Sequence, residues 1–305
     1  MEKEYSVKNK IFHTQDLCLR TNLRCAESCA RMEIFMSAKD TMENKITEGV
    51  IWKQLLLFFF PILVGTFFQQ LYNTVDAVIV GRFVGKEALS CVSGSSGQII
   101  NLVVGFFTGL SAGATVMISQ HFGAKNEEQL HKALHTAYAF AITGGIIAGV
   151  IGVVMTRMVL KWMNTPENLL PDSTLYVRIY FAGLLFIFVY NMGAAILRAI
   201  GDSKRPLYFL IICCIVNIIL DLVLVLGFKM GVLGVAVATL IAQGISAVLV
   251  SVALMYHTAG LKLIPREIRI HKSVLKNMLA IGLPTGIESS MYSICLLYTS
   301  PSPRD

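Results

Sequence analysis

Asp221 stands inside the otherwise uncharged run from Pro206 to Phe228, four residues after Asn217. Residues four apart share a helix face, so this carboxylate and this amide can reach one ligand. Asp76 places a second carboxylate in an earlier apolar run, and Thr239 places a hydroxyl in a later one. All four offer oxygen, which suits a hard cation or a proton, whereas zinc or copper asks for Cys/His clusters that these helices lack. Two neighbouring carboxylates repel until a proton or cation comes between them, so loading such a site changes what it costs to close helices around it. A carboxylate at bilayer depth costs roughly 2.5–3.5 kcal/mol on insertion scales, and such residues usually face a protein interior or a watery cavity and serve transport.

Each residue has a plainer reading beside this one. Asp76 lies six residues before Arg82 and could pair with it at the membrane boundary. Asp221 could make a structural hydrogen bond between helices, and Asn217 and Thr239 are of types that hold helices together. Glu288, four residues after Pro284, is a further candidate that faces either a central cavity or the boundary. His121, His131 and His135 flank a loop that carries Lys125 and Lys132, where solvated positions account for them.

The elements that position these residues must be membrane helices. The chain is 55% hydrophobic and 15% charged with mean hydropathy +0.65, while a soluble domain carries about 25% charged residues. About 20 apolar residues cross the hydrocarbon core as a helix, and six such stretches occur: Gln54 to Val80, Ser95 to Ile118, Ala133 to Met155, Ile179 to Leu197, Leu207 to Phe228 and Val232 to Tyr256. A seventh begins after Lys276. The runs lack the ten-residue alternation of a barrel, so the expected class is an all-α membrane protein with a six-helix amino-terminal lobe.

The net charge of +7 is distributed by loop. With the amino end inside, the inner loops hold twelve basic residues, among them Lys125, Arg198, Lys204, Arg205, Arg266 and Arg269, and the outer loops hold six, such as Arg82, Arg157 and Lys229. That excess follows the positive-inside rule and puts the amino terminus in the cytoplasm. It calls for no nucleic acid. None of the seven cysteines forms a zinc-type CxxC pair, and Cys213 and Cys214 read as small apolar residues in a helix.

Residues 1–41 are mixed in charge, contain no spanning run and lack the apolar core of a signal peptide, so they read as a non-native or disordered extension. Residues 42–257 form the six-helix lobe and 258–275 a cytoplasmic linker. Residues 276–294 begin a second lobe with helix seven, and 295–305 form a tail that reads as non-native. The segment Lys53-Gln-Leu-Leu-Leu-Phe-Phe-Phe-Pro61 aligns with Lys276-Asn-Met-Leu-Ala-Ile-Gly-Leu-Pro284. An even six-helix spacing suggests parallel repeats, with most of the second half missing. Pro61 and Pro284 fall inside spanning helices and mark either hinges or static bends. Gly105, Gly109 and Gly113 line one face for close helix contact, as do Gly145 and Gly149.

These motifs together resemble the multidrug and toxic compound extrusion (MATE) family across roughly residues 42–294. The resemblance rests on Pro61-Ile-Leu-Val-Gly, on Gln69-Gln-Leu-Tyr-Asn-Thr-Val-Asp-Ala-Val-Ile-Val-Gly81 and on Leu197-Arg-Ala-Ile-Gly-Asp-Ser-Lys-Arg-Pro206. Asn217-Ile-Ile-Leu-Asp221 and Gly231-Val-Leu-Gly-Val-Ala-Val-Ala-Thr239 extend it. It implies a twelve-helix antiporter of two rocking six-helix lobes that exports organic, often cationic compounds in exchange for protons or sodium. It also implies an amino-lobe ion site of Asp76, Asn217, Asp221 and Thr239, in a multi-pass protein of the bacterial cell membrane. No organic cofactor, nucleic acid or obligate protein partner is expected; the partners are small organic cations and the lipid bilayer.

Two rivals make different demands. A lipid-linked saccharide flippase of the same superfamily needs a basic cavity for a pyrophosphate headgroup, and no lysine or arginine lies well inside the six spans. An intramembrane aspartyl protease would resemble Tyr-Asp and Gly-x-Gly-Asp motifs, whereas Asp76 follows Val75, Asp221 follows Leu220, and the sole Gly-Asp pair, Gly201-Asp202, lies in a loop.

Overall fold

A computed structural model describes residues 51–256 and 262–299, so the extension expected at 1–41 and the tail beyond Thr299 lie outside the described residues. Within them the chain forms helices and no strand. In chain order these are α1 (Ile51–Ile79), α2 (Lys86–Ser93), α3 (Ser95–Gly123), α4 (Glu127–Trp162), α5 (Leu170–Ala182), α6 (Leu184–Ala199), α7 (Lys204–Asp221), α8 (Val232–Tyr256) and α9 (Lys272–Thr299). Five stretches are long and apolar enough to cross a membrane, and α5 with α6 makes a sixth that is bent by 46°. The expected all-α membrane class holds, and the protein is a multi-pass membrane protein.

The boundaries depart from the sequence expectation in four places. The fourth span starts at Leu170 and not at Ile179, because Asp172 and Arg178 lower the local hydropathy while facing outward from α5. The second span takes in α2, so it begins at Lys86 with a break at Gly94. The segment expected to link the lobes up to residue 275 is already helical from Lys272, and α9 runs on to Thr299, past the end expected at Ile294. Among the described residues α9 does not reach the apolarity of the membrane-length helices.

Local chemistry sets several helix ends. Asn126 caps α4 by accepting a hydrogen bond from the Gln129 N–H at 3.2 Å, and Glu127 and Glu128 in the first turn match the positive end of the helix dipole. Between α6 and α7, Gly201 takes φ +92° and the Asp202 carboxylate accepts from the Arg205 N–H at 3.1 Å, closing the turn expected there. Helices α1 and α9 continue unbroken through Pro61 and Pro284.

Two junctions differ in kind. Helix α1 passes into one wide π-helical segment at Val80–Val84, and α7 into another at Leu222–Gly227. Wide turns of this sort inside α-helices are often found at functional sites. Asp76 lies in the turn before the first, and Asp221 is the last α-helical residue before the second.

Packing follows the glycines. Helix α9 lies chiefly along α3, where a Cβ on Gly109 would stand 2.6 Å from Gly286 Cα and one on Gly282 would stand 2.7 Å from the Leu110 carbonyl oxygen. Backbone therefore meets backbone, the closest approach two helices can make. Gly145 and Gly149 do the same for α4 against the α5–α6 bend: added Cβ atoms would lie 2.9 Å from Leu185 Cα and 2.8 Å from the Phe181 carbonyl oxygen. Outside these seams α4 exposes Ile147, Val150, Ile151 and Val154, and α1 exposes Leu56, Phe60, Leu63 and Phe67. Such an apolar outer face suits lipid and would be an aggregation hazard in water.

Candidate ion-binding site

Helices α1 and α7 pack together, as do α7 and α8, and their polar residues point inward. Asp221 and Asn217 are 0% exposed, Thr239 is 4% and Asp76 is 7%. The one-turn spacing of Asn217 and Asp221 puts both on the buried face of α7, as the sequence spacing requires.

The carboxyls of Asp76 and Asp221 lie within interaction range of each other, across the α1–α7 contact. Asp76 thus turns inward to a second acid and not outward to Arg82, which is exposed. No hydrogen bond of ordinary geometry joins the pair, since Asp76 Oδ1 and both Asp221 oxygens are buried without a partner group, as are both polar atoms of the Asn217 amide. Buried polar atoms are nearly always satisfied, and each such exception calls for an explanation. Thr239 donates its hydroxyl hydrogen to the Val235 carbonyl oxygen at 3.0 Å, which leaves its lone pairs as acceptors.

The structure adds residues that the sequence reading passed over. Tyr72 on α1 and Tyr176 and Tyr180 on α5 all lie within electrostatic range of Asp76, and Tyr176 also of Asp221. Tyr180 and Thr239, with Leu240, Ile187 and Gln243, line a cavity of about 10 Å³, the room of roughly one water. The four-residue spacing of the two tyrosines was the available signal. It was missed because Tyr176 falls before the expected start of its span.

The remaining candidates are elsewhere. Glu288 on α9 is exposed and has no part in this cluster among the described residues. Pro61 is buried and Pro284 exposed within their helices. His135 corrects an expectation: it is 1% exposed, not solvated, because α4 starts as early as Glu127 and the loop before α9 folds over its first turns.

A buried oxygen cluster inside a bundle of membrane-length helices defines an integral membrane protein by class. A family model described as MatE matches residues 61–223, more than half of the chain, and the chain belongs to that family. The probable multidrug resistance protein YoeA of Bacillus subtilis (strain 168) is 33% identical over 265 residues, covering 85% of this chain and 57% of that protein. The probable multidrug resistance protein YpnP of the same strain is 32% identical over 243 residues, covering 79% and 54%. An outward-facing structure of a multidrug resistance MATE family transporter superposes with a TM-score of 0.75 at 23% identity, over 81% of this chain and 54% of that one. The chain spans about half the length of the curated relatives it matches. That family is one of transporters and not of enzymes, which removes the aspartyl-protease reading.

Proposed function

We propose that this chain forms the ion-coupled lobe of an antiporter that exports organic, predominantly cationic compounds across the cell membrane by alternating access. Asp76 and Asp221 load the coupling ion, a proton or sodium, while Asn217 and Thr239 supply further oxygens. One observation carries this reading: two acids on different helices are buried against each other, with Asp76 Oδ1 and both Asp221 oxygens unmatched by any protein donor. Facing carboxylates in a low-dielectric interior repel strongly, and a bound cation or proton removes the repulsion. Loading therefore favours arrangements in which α1 and α7 stay close, and release disfavours them; an ion gradient acting on that difference drives conformational change.

The multidrug names of the Bacillus relatives support the substrate class, as does the absence, among the described residues, of a basic side chain acting on the two carboxyls. Dye efflux from energised membrane vesicles containing a transporter of the relatives' length tests the mechanism. Replacing Asp221 with Asn should abolish gradient-driven export. Undiminished export after that change would reject ion loading at this site. Transport of lipid-linked saccharide that survives replacement of both acids and needs no gradient would favour the flippase instead.

A further inference from the structure

Polar side chains that the carboxylate site leaves unused gather where residues 262–271 cross the first turns of α4. His135 Nδ1 lies 2.8 Å from the His131 carbonyl oxygen, a contact that requires the ring hydrogen on Nδ1. Its Nε2 accepts the backbone N–H of Ile264 at 3.1 Å. The ring is thereby fixed as one neutral tautomer, with both nitrogens engaged. Next to it, Thr136 Oγ1 accepts the His271 N–H at 3.2 Å and lies 3.2 Å from His271 Nδ1. His131 Nε2 stands 3.4 Å from Glu267 Oε2. Three residues of α4 thus clasp a stretch whose only regular structure is the short turn Pro265–Glu267.

His131, His135 and Glu267 hold possible metal-ligand atoms within 4.8 Å of one another. The Ile264 N–H already occupies the one lone pair that His135 could offer. In this arrangement the cluster is a hydrogen-bonded clasp and not an ion cage.

We propose that the clasp fastens the segment before α9 to α4 at neutral pH and opens when His135 takes up a proton. The groups facing His135 are His131, whose ring stacks on it at 4.0 Å between centroids, and Glu267 across the loop. Around them stand His271 and Thr136, the exposed Arg269, and Lys132, which is engaged with Glu128 at 2.6 Å. The two neighbouring histidine rings each face an acceptor. A charged His131 gains Glu267 as its partner. A charged His271 donates from Nδ1 to Thr136 Oγ1, whose own hydrogen is then directed at the Arg269 carbonyl oxygen, 3.5 Å away. His135 has no such outlet. A second ring proton lands on Nε2 and sets two N–H donors face to face, leaving a buried charge and an amide without an acceptor. Acid on this side of the membrane thereby frees the leading end of α9, the helix that enters the second repeat; that consequence rests on the alternating-access reading above, while the clasp does not.

Backbone hydrogen exchange across residues 262–271 tests the clasp, using the chain in lipid nanodiscs with rates corrected for intrinsic exchange. Protection of the Ile264 amide should fall about tenfold or more between about pH 8 and about pH 5, an interval that brackets the ordinary histidine range. His135→Gln keeps an acceptor that does not titrate and should hold its protection to within about threefold over the same interval. His131→Gln should still respond to acid as the wild type does. Unchanged wild-type protection across the interval, an equal loss in His135→Gln, or a lost response in His131→Gln overturns the proposal. No gradient or substrate is present, so failure here is separate from failure of the transport reading.

Discussion

Asp221 and Asp76 are not equivalent, although each faces the other. Asp221 is fully buried at the point where α7 widens into its π-helical segment, whereas Asp76 keeps slight exposure one turn before the wide segment of α1. Replacing Asp221 with Asn should therefore reduce gradient-driven dye efflux to background, a loss of about a hundredfold or more in initial rate. Thr239→Ala, which removes one neutral oxygen, should cost only about tenfold and should act mainly on the concentration of coupling ion needed for half-maximal transport. Equal effects of the two changes would argue that the cluster serves packing. The acids were legible in the sequence because a charge inside an apolar run has few structural uses. The tyrosines were not, since a tyrosine sits comfortably in many membrane helices, and nothing in Tyr176 itself tells which acid its ring will meet.

Among the elements, the glycine seams give the sharpest contrast. At Gly109 an added methyl would press on the backbone of Gly286, which cannot turn aside, so Gly109→Ala should destabilise the α3–α9 pairing by about 1–3 kcal/mol, within the range of overpacked interiors. Gly183→Ala sits at the 46° bend between α5 and α6, yet its methyl would meet the Leu240 Cδ1 end of a flexible side chain, so it should cost less than about 1 kcal/mol. Thermal unfolding of both variants in the same detergent ranks them, and the reverse order would refute the packing argument. Spacing of glycines announced that a partner would come close. It did not say which helix, because periodicity describes one surface and leaves the complementary one unspecified. The 46° bend was hidden for a related reason: Asp172 and Arg178 face outward from α5 while Tyr176 and Val177 on the same helix are buried, and hydropathy averages the two faces.

For the molecule as a whole, the distribution of basic residues predicts orientation. Cysteines placed at Lys125 and at Lys229, in a background with the native cysteines replaced, should react with an impermeant maleimide from opposite sides: Lys125→Cys only after the cells are opened, Lys229→Cys in intact cells. Labelling of both from one side would overturn the assigned topology. The membrane class was readable from composition alone, because burying backbone in lipid leaves a chain of this hydropathy little choice but helices. The way the loop before α9 lies across α4 was not readable, since it depends on single hydrogen bonds that the Ile264 and His271 N–H groups donate to His135 and Thr136, more than a hundred residues away.

The seam between α3 and α9 carries a further implication. Because the contacts at Gly109, Gly113 and Gly282 are main chain on main chain, there is no rotamer to adjust there and no slack to take up. A saturation mutagenesis screen scored by drug survival should therefore show Gly109 and Gly282 as intolerant as Asp221, although neither bears a reactive group. Silent chemistry and strict geometric demand would then coincide at one place, a reminder that sensitivity to change alone does not mark where an ion binds.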